Sequence, residues 1–170
     1  MTFINSMEYN IDYLELMNSI KDQYDETWLT PSQKEIYERV TTKFQAQKLI
    51  NIFGDKGVGK TFLGWLITIF YEGHYTKDKS NLKSKVVNVI DDFGYKKQDL
   101  RALLPNTKIL AIPKTILLSN KKINDDIISL ELNFETLDRD KFKNNLWKYC
   151  KLNFPKEKDN MHALIKFNIS

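Results

Sequence analysis

Residues 54–61 read Gly54-Asp55-Lys56-Gly57-Val58-Gly59-Lys60-Thr61, and no other stretch limits the chemistry of this chain so tightly. Gly54, Gly59, Lys60 and Thr61 stand at the spacing of a loop that wraps phosphate. Glycine tolerates backbone of positive φ, so successive N–H groups can converge on an anion as a nest. A lysine beside them brings a mobile charge to the outer phosphates, and the next hydroxyl is a hard oxygen suited to Mg²⁺. The flanks agree. Leu49-Ile50-Asn51-Ile52-Phe53 is a short apolar run that predicts a strand feeding the loop. Residues 62–71 are apolar and free of proline, which predicts a helix over 61–72. Its N-terminus would add partial positive charge. A glycine-rich turn with a coincidental Lys-Thr is the bland alternative; the strand–loop–helix setting favours a bound nucleoside triphosphate. All of Gly54, Asp55, Lys56, Gly57, Val58, Gly59, Lys60 and Thr61 are assigned to it, Gly57 and Val58 by geometry rather than side-chain chemistry.

A chain of 170 residues, 42% hydrophobic and 28% charged, suits one domain with a real core. No basic start followed by a sustained apolar stretch marks a leader, and the apolar run 62–71 is too short to span a membrane. The single cysteine, Cys150, excludes an internal disulfide and fits a reducing compartment. An intracellular protein is therefore expected: cytoplasmic, or in a host nucleus if the source is viral. The formal charge of +4 agrees with an anionic partner, though nucleotide phosphates or plain solubility explain it equally well.

Residues 1–29 read as a short helix and linker, residues 30–151 as the core, and residues 152–170 as a tail. Thr30-Pro31-Ser32-Gln33 is a helix start, with Thr30 as cap, Pro31 at the first helical position and Gln33 completing a capping box. Ile36, Val40 and Phe44 then recur every four residues as one apolar stripe. The helix after the loop is apolar on nearly every side and is expected to be covered on more than one face. Residues 73–85 are polar and lysine-rich, a surface connection. Val86-Val87-Asn88-Val89-Ile90 predicts a buried strand that ends in Asp91-Asp92. A helix over 96–104, strands at 109–112, 115–118 and 127–132, and a helix over 136–151 complete the series. That last helix places Leu137, Phe142, Leu146, Tyr149 and Cys150 inward. Strands alternating with helices imply a three-layer α/β domain with a mainly parallel sheet and no separate lid domain.

Asp91, at the end of its strand, is the expected Mg²⁺ partner of Thr61. Asp92 is placed to orient or deprotonate an attacking water. Val89-Ile90-Asp91-Asp92-Phe93-Gly94, followed by Ile112-Pro113-Lys114-Thr115-Ile116-Leu117-Leu118-Ser119-Asn120, resembles motifs B and C of superfamily 3 helicases. The likeness is to the helicase domain of replication-initiator (Rep) proteins of small circular single-stranded DNA viruses and plasmids, and covers residues 29–132. It implies a P-loop NTPase with an AAA+-like core that binds ATP and Mg²⁺. It further implies Lys60, Asp92 and Asn120 as catalytic groups, Asn120 sensing the γ-phosphate or the water, and assembly into a homo-oligomeric ring. Lys96, Lys97, Arg101 and Lys108 would contact single-stranded DNA or RNA along such a ring.

The chain departs from the family in two places. Its only histidines, His74 and His162, are far apart, which excludes nicking by paired histidines. No arginine follows motif C before Arg139, so turnover is expected to be slow without an arginine finger. Two other classes stay open: a STAND or helicase-loader type switch, and a nucleotide-binding regulatory module without hydrolysis. The helicase reading needs residues 115–119 beside the phosphate-loop strand; the switch reading needs residues 109–112 there, with Lys114 as sensor.

Overall fold

The computed structural model describes residues 18–21, 24–44, 48–94, 96, 114–123 and 127–153. They form two compact units, one of residues 31–134 and one joining the N-terminal segment up to Thr30 to the segment from Glu135 onward. The larger unit holds a five-stranded sheet: β1 (Leu49–Phe53), β2 (His74–Thr76), β3 (Asn88–Ile90), β4 (Thr115–Ser119) and β5 (Ile128–Glu131). The strand order is β2-β3-β4-β1-β5, and every pairing is parallel. Helices α1 (Pro31–Lys43) and α2 (Lys60–Phe70) accompany it. This is an α/β fold with a parallel sheet flanked by helices, compatible with three layers.

A parallel sheet has to be covered on both faces, so its central strands read as unbroken apolar runs. The register shows how each side chain is used. Ile50 pairs with Ile116 and Ile52 with Leu118, and Val89 pairs with Ile116, so these side chains share one face. Helix α2 lies on that face at Gly64, where an added Cβ would stand 2.7 Å from Leu118 and 3.2 Å from Val89. On the other face, Leu49, Ile90 and Leu117 form a buried cluster with Phe93 and Ile123, against which Leu82 and Ile127 pack. Asn88, polar within a buried strand, is satisfied locally. Its side chain accepts from Lys83 N and donates to the Lys83 and Val86 carbonyls, folding the turn that feeds β3.

The first helix behaves as its sequence predicts. It begins at Pro31, and Ile36, Val40 and Phe44 are buried. Its stripe meets α2 through edge-on ring contacts, Tyr37 with Phe70 at 5.6 Å and Phe44 with Tyr71 at 5.5 Å. Three expectations need correction. Helix α2 stops at Phe70 rather than at 72, and its last turn is open, with Ile69 and Phe70 each 54% exposed. Residues 73–85 are not simply a surface connection, because β2 lies within them and pairs with β3. Leu137 is exposed rather than inward. The predicted helix over 96–104 and strand at 109–112 lie outside the described residues.

In the smaller unit, α3 (Thr136–Asn153) starts where the Asp138 carboxylate accepts from Glu135 N at 2.8 Å. A 3-10 turn, Glu26–Trp28, is capped by Asp25, whose carboxylate accepts from Thr27 N. Trp28 meets the Tyr149 ring edge-on at 5.8 Å, and Asn145 donates to the Trp28 carbonyl at 3.1 Å. Cys150 is fully buried, and burial pushes its thiol up to about 11. Since the thiolate is the reactive form, Cys150 is expected to resist a disulfide reagent such as DTNB in the folded protein. It should react with one equivalent once guanidinium is added; fast reaction of the native protein contradicts this packing. Among the described residues, no helix is long and apolar enough to cross a membrane.

Candidate functional site

The loop 54–61 bridges the end of β1 and the start of α2. Gly57 and Gly59 have φ of 91° and 88°, the left-handed region where side chains are costly. Gly59 caps α2 and offers no side chain to it, which leaves the first N–H groups of the helix facing the loop. Asp55, Lys56 and Gly57 are exposed at the loop tip, and Val58 is buried. Lys60 folds back across the loop. Its Nζ donates to the carbonyls of Gly54 and Asp55, each at 2.8 Å. Burial pulls the Lys60 ammonium below the usual lysine value, while Asp91, Asp55 and Asp92 oppose that pull. Two of the three ammonium donors are thus spent on the loop's own carbonyls.

The acidic half meets this loop directly. Thr61 Oγ1 donates to Asp91 Oδ2 at 2.9 Å. Asp91 is itself held by the sheet edge: its backbone N–H donates to the Thr76 carbonyl at 2.8 Å. Its Oδ1 accepts from Asp92 N at 2.9 Å, and its Oδ2 also accepts from the Tyr75 hydroxyl. Asp92 takes a different course. It lies at φ 54°, a conformation aspartate tolerates better than most residues, and its exposed carboxylate pairs with Lys77 at 3.1 Å. The two neighbouring carboxylates thus diverge, Asp91 inward on Thr61 and Asp92 outward on Lys77.

Strand β4 lies between β1 and β3. The carboxyl ends of β1, β4 and β3 therefore carry Gly54, Asn120 and Asp91 side by side, the edge of an open α/β sheet where ligands bind. Asn120 is exposed. Behind it is a polar layer that the sequence did not single out. Ser119 Oγ lies 2.8 Å from both Asn51 Oδ1 and the Lys121 carbonyl. Ser129 Oγ donates to the Ile123 carbonyl at 2.9 Å. These bonds tie the turn after β4 to β1 and β5.

Two further residues were missed. Gln33, read as part of a helix start, sends Nε2 to the Gly59 carbonyl at 3.0 Å and so reaches the loop 54–61 from α1. Tyr75 was placed in a surface connection and instead contacts Asp91. No local pattern marks either, because each contact joins distant segments. Lys96 is exposed, whereas Lys97, Arg101 and Lys108 lie outside the described residues.

Among the described residues, no group of three or more His, Cys, Asp or Glu could hold a metal ion. The donor set at Thr61 and Asp91 is of another kind: one hydroxyl and one carboxylate, all oxygen. It fits Mg²⁺, which prefers one or two protein oxygens together with water and phosphate. The Thr61 proton is engaged by Asp91, which leaves its oxygen lone pairs for a cation. Scanned against protein-family models the chain matches none, and no curated protein matches its sequence.

Proposed function

We propose that this chain is the ATP-binding and ATP-hydrolysing core of a motor that acts on single-stranded nucleic acid. In this reading it is a three-layer P-loop NTPase with an AAA+-like core, similar to the superfamily 3 helicase domain of Rep proteins. The observation that carries the proposal is the 2.9 Å hydrogen bond from Thr61 to Asp91, made beside a lysine that clasps the glycine loop. It joins the two parts a triphosphate–Mg²⁺ site requires, from segments far apart in sequence.

Residues 54–61 bind ATP, with Lys60 directed to the outer phosphates. Thr61 and Asp91 hold Mg²⁺, Asp91 through water. When bound, the cation neutralises charge on the β- and γ-phosphates. Asp92 and Asn120 orient the attacking water, for which Asp92 has to leave Lys77. Lys96, Lys97, Arg101 and Lys108 follow the phosphates of a single strand through a homo-oligomeric, intracellular ring. The position of β4 favours this reading over a STAND or loader-type switch, because residues 115–119 flank β1, with Asn120 at the strand end.

Hydrolysis assayed with and without single-stranded DNA and RNA tests the proposal. Slow Mg²⁺-dependent ATP turnover, accelerated several-fold by a polynucleotide, is the expected result. Turnover indifferent to polynucleotide supports the switch, and binding with no turnover under any condition supports a regulatory module.

A further inference from the structure

We propose that Tyr75 is a positioning residue of this nucleotide site: its hydroxyl fixes the Asp91 carboxylate so that Asp91 meets the cation through water and Thr61 is left to coordinate it. The inference rests on the ATP–Mg²⁺ reading above. It begins from the number of donors that converge on one carboxylate. Asp91 Oδ2 accepts from both Thr61 Oγ1 and the Tyr75 hydroxyl, and Oδ1 accepts from Asp92 N. A carboxylate has about four lone-pair sites, two on each oxygen. Two hydroxyl donors fill those of Oδ2, so a direct metal bond there requires one of them to leave. Asp91 is thereby held as an acceptor whose orientation is set from three sides.

Tyr75 is built to do this. It stands on β2 opposite Val89 of β3, two residues before Asp91, so the edge strand carries its side chain onto the α2 face. Its ring lies against Trp65 with centroids 6.4 Å apart, and an edge atom is 3.5 Å from the point where Gly64 would carry a Cβ. Facing a carboxylate that can only accept, the phenol hydroxyl is the donor of the pair. This also gives a reason for β2, a three-residue strand in a lysine-rich stretch: it delivers one hydroxyl to the end of β3.

The test is binding of a fluorescent ATP analogue, in EDTA and across a Mg²⁺ titration, for the wild type, Tyr75→Phe, Asp91→Asn and the double variant. In EDTA the affinity of Tyr75→Phe should stay within about twofold of wild type, because residues 54–61 grip the phosphates. The Mg²⁺ concentration for half-maximal effect should rise about tenfold, the lower end for loss of a partner that orients a metal ligand. Tyr75→Phe should add nothing in the Asp91→Asn background, since it acts through that carboxylate. Unchanged Mg²⁺ dependence in Tyr75→Phe, or a full additional loss on top of Asp91→Asn, overturns the role of Tyr75 and leaves the nucleotide site standing. A wild type that binds no nucleotide overturns the site and the inference together. If Tyr75→Phe loses its fold, 3-fluorotyrosine at position 75 serves in its place. Its fluorine resonance should move when Mg²⁺–ATP is added to otherwise wild-type protein and stay put in Asp91→Asn, and an unmoved resonance in both overturns the proposal.

Discussion

Replacing Lys60 with alanine is expected to weaken ATP binding about a hundredfold and to abolish measurable hydrolysis, with little change in the fold. A hydrogen bond to a charged group contributes about 1.5–3 kcal/mol, and roughly 2.8 kcal/mol is a hundredfold in affinity. The ammonium has three donors, two of which go to the Gly54 and Asp55 carbonyls. One is left by count for a phosphate oxygen, so the variant loses that bond and the clasp that shapes the loop. Asp55 is exposed at the loop tip, so water can take over its carbonyl, but Gly54 is buried and its carbonyl loses its partner, so the stability cost should be about 1–3 kcal/mol. Arginine is no substitute. Its planar fork is larger than a compact ammonium and does not match two carbonyls on one tight loop. Titration calorimetry with ATP decides the matter: near wild-type affinity in a folded Lys60→Ala protein removes the loop from the proposed site.

What could be read from the chain, and what could not, separates along one physical line. The strand–loop–helix unit at 49–70 was legible because each signal in it is local: an apolar run, glycines where the backbone needs them, then a proline-free helix. Asp91 was legible for the same reason, as the first carboxylate after a buried strand. Strand β2 was not. Three residues are too few for periodicity, and this strand exists because distant groups secure it. Gly73 approaches the Val87 carbonyl so closely that a Cβ would stand 2.5 Å from it, and His74 N donates to that oxygen at 2.8 Å. The order of the strands was equally hidden. Alternating strands and helices predict a parallel sheet, but nothing in residues 115–119 states that they lie between β1 and β3. The exposed last turn of α2 was hidden too, since apolar composition shows what a helix can bury and not how much cover each turn receives. At the candidate site, Lys60 and Thr61 followed from the loop motif and Asp91 from its strand end, while Gln33 and Tyr75 reach it through contacts 26 and 16 residues away in sequence.

Gly54→Ala is expected to be the most damaging single methyl that can be added to the loop, costing about 3 kcal/mol of stability and the nucleotide affinity with it. The reason lies in the sheet rather than in phosphate chemistry. A Cβ at position 54 would overlap the Leu132 carbonyl oxygen and stand 3.3 Å from its carbon and 3.1 Å from Val58 Cγ2. Leu132 cannot step aside cheaply. Its N–H donates to the Phe53 carbonyl at 2.7 Å, which continues the pairing of β5 with β1, and its own side chain is fully buried. Relief has to come from prising the end of β5 away from β1. Overpacking of a tight core costs about 1–3 kcal/mol, and a lost backbone hydrogen bond adds about 1 kcal/mol. Gly57→Ala makes the matching control. It has the same motif, the same added methyl and a φ of 91°, but nothing lies within 4 Å of the new atom. Its cost should be the left-handed penalty alone, about 1–2 kcal/mol. Urea denaturation of the two variants, read beside ATP titrations, measures the order. Gly54, unlike Gly57, is not in the left-handed region, so if Gly57→Ala proves as destabilising as Gly54→Ala, the clash at position 54 is relieved at little cost. Crowding by the end of β5 would then not be what demands glycine at the first position of the loop.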